Sequence, residues 1–95
     1  MTEKVLSLFV KAGTIQEDIL KRLDSEYDAL EKVENIEIRD YARNCIMRAI
    51  IIILKNPILL EKGFRAYIRG RNGKLDITLN NEIDLYWFDD KEAVV

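Results

Sequence analysis

Read by the spacing of its apolar positions, the chain falls into two halves. Up to residue 62 the apolar residues recur at three and four, the rhythm of a helix with one buried face. From Phe64 onward they alternate, the rhythm of a strand with one buried face. The first segment, MTEKVLSLFVKAG, places Val5, Leu6, Leu8 and Phe9 between Thr2, a possible N-cap, and Gly13, a possible helix stop. A short first helix is expected there. Thr14-Ile15-Gln16-Glu17 then has the form of a capping box. Behind it Ile15, Ile19, Leu20, Leu23, Tyr27 and Leu30 form one stripe, predicting a long second helix.

A third helix is expected from an N-cap at Asn35 to the break at Asn56-Pro57. Its inner stripe is Ile38, Tyr41, Ala42, Cys45, Ile46, Ala49, Ile50 and Ile53. The stretch RAIIIILKNP inside it could be a strand, since isoleucine favours sheets. The helical rhythm enters it from Arg43 and Met47 without Gly or Pro, so helix is the reading. Its last two turns are then apolar on every side, which leaves Ile51, Ile52 and Leu54 in need of a cover. Ile58, Leu59 and Leu60 add one more apolar turn before Gly63.

In the second half, Phe64, Ala66 and Ile68 alternate with Arg65, Tyr67 and Arg69, and Asn72-Gly73 offers a two-residue hairpin turn. A turn closed by Arg71 and Lys74 sets Ile68 against Ile77, Ala66 against Leu79 and Arg69 against Asp76. A third strand at residues 83–88 would follow a three-residue loop at Asn80, Asn81 and Glu82. The expected fold class is therefore α+β: three helices, two of them long and forming an antiparallel hairpin, followed by a three-stranded antiparallel β-meander. It is read as one domain over residues 1–95, without repeats or linkers.

Composition narrows the chemistry. A net charge of −2 argues against a generally cationic nucleic-acid coat. The chain has no histidine and one cysteine, Cys45, so zinc sites built on Cys or His spacing and a Cys–His nucleophile are excluded. No internal disulfide is possible either. The lone proline, few glycines and abundant Ile, Glu and Lys give a thermophile-like composition. The apolar run between Arg48 and Lys55 is only six residues, far short of the roughly 18 needed to span a bilayer. Glu3 comes too early for a secretory signal. A cytoplasmic protein with no membrane contact is expected, and no cofactor is implied.

Charge is uneven. From Arg39 to Lys74 there are nine basic residues against two acidic ones, Asp40 and Glu61. Two uses of surface follow. In the first, a small non-enzymatic interaction protein (an adaptor, inhibitor or accessory subunit) pairs with itself as a homodimer or with another protein. Its interface candidates are Ile51, Ile52, Leu54, Leu59, Tyr86 and Phe88. In the second, a nucleic-acid-binding hairpin face over residues 65–74 uses Arg65, Tyr67, Arg69, Arg71 and Lys74, with phosphates on the basic groups and bases stacked on the rings.

Three partial resemblances touch this region. Lys62-Gly63-Phe64-Arg65-Ala66-Tyr67-Ile68 is similar to the first signature of RNA-recognition motifs, but Phe64 and Tyr67 fall on opposite faces of a strand. The tip at residues 69–74 resembles the wing of a winged-helix protein, with Arg39 and Arg43 as the recognition surface. Asp76 with Asp89-Asp90-Lys91 resembles the Asp…(Asp/Glu)-x-Lys pattern of Mg²⁺-dependent restriction-type nucleases. That likeness implies metal-holding carboxylates and a water-orienting lysine. The short spacing and the missing parallel strands depart from the nuclease pattern. No catalytic residue is assigned.

Overall fold

A computed structural model describes residues 4–69, 73–77 and 84–89, with side chains over residues 5–69 and at Trp87. In chain order the elements are β1 (Lys4–Val10), α1 (Gln16–Ala29), a 3₁₀ turn (Leu30–Lys32), α2 (Ile36–Lys55), α3 (Ile58–Lys62), β2 (Phe64–Ile68), β3 (Gly73–Ile77) and β4 (Asp84–Asp89). The fold is α+β. Its sheet is antiparallel with strand order β3-β2-β1-β4.

The first segment is a strand where a helix was expected, and this correction rearranges the rest. Val5, Leu6, Ser7 and Leu8 are all shut from solvent, so β1 buries both of its faces. A strand buried on both sides shows no alternation, and a short apolar run of that kind cannot be told from a helix by spacing alone. Gly13, read as a helix stop, instead bends the chain from β1 toward α1 with φ of 85°. Its N–H donates to the Leu60 carbonyl at 2.7 Å.

The capping box is also replaced. Thr14 Oγ1 donates to the Lys11 carbonyl at 2.8 Å, closing the turn after β1, and Ile15 is the N-cap of α1 with no side-chain cap. Once β1 is a strand, the turn that leaves it competes for the same hydroxyl. At α2 the local signal holds: the Asn35 side chain accepts from the Ile38 N–H at 3.1 Å. The far end closes where Asn56 donates twice to the Ile52 carbonyl, from its backbone at 3.1 Å and from Nδ2 at 3.0 Å. Pro57, unable to continue the ladder, starts α3.

The meander is corrected as well. β4 does not lie beside β3. It pairs with β1, as Leu6 opposite Trp87 and Leu8 opposite Leu85, while β2 takes the other edge of β1, as Leu6 opposite Ile68 and Val10 opposite Phe64. β2 and β3 pair with Phe64 opposite Ile77, Ala66 opposite Leu75 and Ile68 opposite Gly73. The expected register had Ile77 against Ile68. The shift is even, so every residue keeps its face, and Asp76 meets Arg65 in place of Arg69. The expected turn at Asn72 and the expected loop at Asn80, Asn81 and Glu82 fall within residues 70–72 and 78–83, which lie outside the described residues.

The core sits between one face of the sheet and the helices. Leu6, Leu8 and Val10 from β1 and Phe64, Ala66 and Ile68 from β2 meet Ala42, Cys45, Ile46, Ala49 and Ile53 of α2, with Ile19 and Leu23 of α1. Leu59 and Leu60 close one end. Trp87 packs against this cluster and its Nε1 donates to Glu26 Oε1 at 3.2 Å, which ties β4 to α1. Gly63 makes the step from α3 into β2 at φ of 78° and ψ of 148°, a conformation that L side chains rarely adopt.

Candidate interaction surfaces

α2 is packed on its inner stripe and bare on the opposite one. Its buried residues are Ala42, Cys45, Ile46, Ala49 and Ile53. On the solvent side Met47 is 45% exposed, Ile51 44% and Leu54 51%, and Ile58 on α3 is 51% exposed. Met47, Ile51 and Leu54 are four and three residues apart, the spacing that lines side chains into one seam along a helix. Ile52, beside the seam, is half-buried against the core.

Of the sequence-derived interface residues, Ile51 and Leu54 are thus on the surface and Ile52 is at its margin. Leu59 is not. It is 5% exposed within the core, because Pro57 turns α3 so that Leu59 and Leu60 face inward. Tyr86 and Phe88 stand opposite Ser7 and Val5 in the backbone register, and their side chains lie outside the described residues. Met47 was missed. Its spacing from Ile51 and Leu54 was the available signal.

The seam is bordered by cations. Arg48 and Lys55 are exposed, and the Arg48 guanidinium donates to Asn44 Oδ1 at 3.2 Å. Arg43 sits on the α1 side, its guanidinium carbon 4.9 Å from the centre of the Tyr27 ring. Between Asp40 and Glu61 the sequence contains no acidic residue.

The second candidate is the sheet face opposite the helices, on which Val5 and Ser7 are themselves shut from solvent. Since Leu6 and Leu8 enter the core, strand alternation turns Val5, Ser7 and Phe9 the other way, beside Arg65 and Tyr67. The Arg65 guanidinium carbon lies over the Phe9 ring, 3.6 Å from its centre, and the guanidinium donates to the Tyr67 hydroxyl at 2.8 Å. Phe9, Arg65, Tyr67 and Arg69 are all half-buried. Sequence reasoning missed Phe9 because it assigned that residue to a helix. Lys74 stands opposite Tyr67 in register, with its side chain outside the described residues, as is all of Arg71.

Arg65 is therefore already engaged by two rings, which lowers what it can offer a phosphate. Opposite Tyr67, Ser7 is fully buried, and among the described residues its Oγ has no hydrogen-bond partner. A buried hydroxyl without a partner is destabilising. Ser7→Ala is accordingly expected to raise stability by about 1 kcal/mol in urea denaturation; a loss of stability would show that the hydroxyl is satisfied.

Among the described residues no group of His, Cys, Asp or Glu is placed to hold a metal, and no helix is long and apolar enough to cross a membrane. Asp90 and Lys91 of the nuclease-like pattern lie outside the described residues, and Asp89 ends β4 opposite Lys4. No protein-family model, no curated protein and no solved structure matches the chain.

Proposed function

We propose that the chain is a small non-enzymatic interaction protein, an adaptor, inhibitor or accessory subunit that holds another polypeptide on the outer seam of α2. The observation that carries this reading is the row of Met47, Ile51 and Leu54, each close to half exposed on a helix whose other face is fully packed. Isolated exposed apolar residues need no explanation, but a row of them along one helix commonly marks a contact surface. A second copy of the chain is one occupant of such a seam, giving a homodimer.

Site-specific photocrosslinking in the protein's own host tests it. A benzophenone side chain at Leu54 is expected to give discrete adducts, and the same probe at Asp24, exposed on α1, none. The mass of the adduct separates a second copy from another protein. Equal labelling at both sites, or none at Leu54, would overturn the reading.

A second reading is nucleic-acid binding on the sheet face where the fold brings Phe9 beside Arg65 and Tyr67. Aromatic rings next to cations are the elements of a single-strand nucleic-acid platform. Anisotropy titrations with single- and double-stranded DNA and RNA at two salt concentrations discriminate. Binding that falls steeply with salt and is lost in Arg69→Ala with Arg71→Ala supports it; no binding at low salt removes it.

A further inference from the structure

We infer that the occupant of the α2 seam is an acidic amphipathic helix of a different protein, with its apolar stripe on Met47, Ile51 and Leu54 and its Asp or Glu residues against Arg48 and Lys55. The inference rests on the interaction-protein reading and names the partner's chemistry.

Shape comes first. The seam repeats at four and three, which fits the ridge of one facing helix. It carries no aromatic residue, and it is bordered directly by the exposed Asn44, Arg48 and Lys55. An interfacial membrane helix needs a wider apolar face, commonly with Trp or Phe, so a lipid surface fits less well.

Charge then selects among helices. On α2, Arg48 lies one residue past Met47 and Lys55 one past Leu54, so both cations stand on the same side of the seam. A second copy packed antiparallel, seam to seam, would bring Arg48 of one copy beside Lys55 of the other, since both stand on one side of the seam. Like charges in a helical interface oppose pairing, whereas opposite charges there choose the partner. The exposed part of α1 carries Glu17, Asp18, Asp24 and Asp28 but no matching apolar row, so α1 of another copy does not supply the missing half. The complement of an apolar seam edged by cations is a helix whose apolar stripe is edged by carboxylates.

The test uses the full chain and two synthetic helical peptides. They share a leucine stripe with the four-and-three repeat and differ only in glutamate or lysine at the flanks. The glutamate peptide is expected to bind at least roughly tenfold more tightly than the lysine peptide, with the difference shrinking as salt rises. Ile51→Glu should abolish binding, and Arg48→Glu with Lys55→Glu should reverse the preference. All three positions are exposed, and circular dichroism confirms that the variants fold.

Equal binding of both peptides, or preference for the lysine peptide, overturns the inference. So does self-association in sedimentation velocity that Ile51→Glu removes, since the occupant is then a second copy. Binding to phosphatidylserine vesicles that Ile51→Glu removes, without peptide binding, assigns the seam to lipid and overturns it too. In those cases the seam remains a contact surface. If Ile51→Glu changes none of the three associations, the interaction-protein reading fails along with it.

Discussion

A chain that begins at Gly13 is expected not to fold. Far-UV circular dichroism of this truncated protein should show loss of ordered sheet and most helix, and heating should give no cooperative transition. The reason is the place of β1 in the sheet. It is hydrogen-bonded on both edges, to β2 and to β4, and β1 is the strand with which β4 pairs. Its removal also takes Leu6, Leu8 and Val10 out of the core, each fully buried. Burial of a side chain of this size contributes about 1.5–3 kcal/mol. Three of them match much of the roughly 5–15 kcal/mol that holds a small domain folded, before the lost ladder is counted. Were the segment a surface helix, as its spacing suggests, the same truncation would leave a folded remainder with a cooperative transition. Retention of that transition would sink the assignment of β1 to the centre of the sheet.

That contrast shows where the sequence is informative. α2 is legible because its cues agree: an Asn35 cap, a sustained helical rhythm and a Pro57 stop. The isoleucines at 50–53 are helical in spite of their sheet preference, since the rhythm before them fixes which faces are inner. Even the bare side follows from the pattern, because a run apolar all round has more apolar surface than its own neighbours can cover. Ile51 and Leu54 are exposed for that reason.

β1 is not legible in the same way. Its identity depends on what packs against its second face and both edges, and all of these partners are distant in sequence. Everything misassigned in the second half descends from it. Without β1, local pairing sets β4 beside β3, the strand it follows, and a meander is the arrangement expected. With β1 present, β2 is held along its length from Val10 opposite Phe64 to Leu6 opposite Ile68, and β3 joins β2 in a register that the Asn72-Gly73 pair alone does not set. Alternation is local, and Arg65 and Tyr67 share one face of β2 as it predicts. Their neighbour Phe9 could be found only through the fold. It changes the chemistry of that face, because it occupies the guanidinium that the sequence suggested for phosphate.

Phe64→Ala is expected to remove about 3–5 kcal/mol of stability, a loss that the lone cysteine can report. Among the described residues Phe64 is the largest of the side chains fully shut from solvent. It enters the core directly after Gly63, whose positive φ fixes the angle at which β2 leaves α3. Phe64 is opposite Val10 on one strand and Ile77 on the other, so a cavity there lies between three strands and the helices. Collapse into such a cavity is hindered on the backbone side by two ladders, which places the cost toward the upper part of the usual range. Cys45 lies in the same cluster and is fully buried, so its thiol reacts with an aromatic disulfide reagent only when the core opens. The labelling rate should therefore rise about a hundredfold or more in Phe64→Ala, in step with the urea midpoint. Phe64→Leu, which keeps much of the apolar volume, should show a smaller change in both measurements. An unchanged midpoint with fast labelling in the unsubstituted chain would mean that Phe64 and Cys45 do not share a packed core, and the placement of α2 on β1 and β2 would fall with that result.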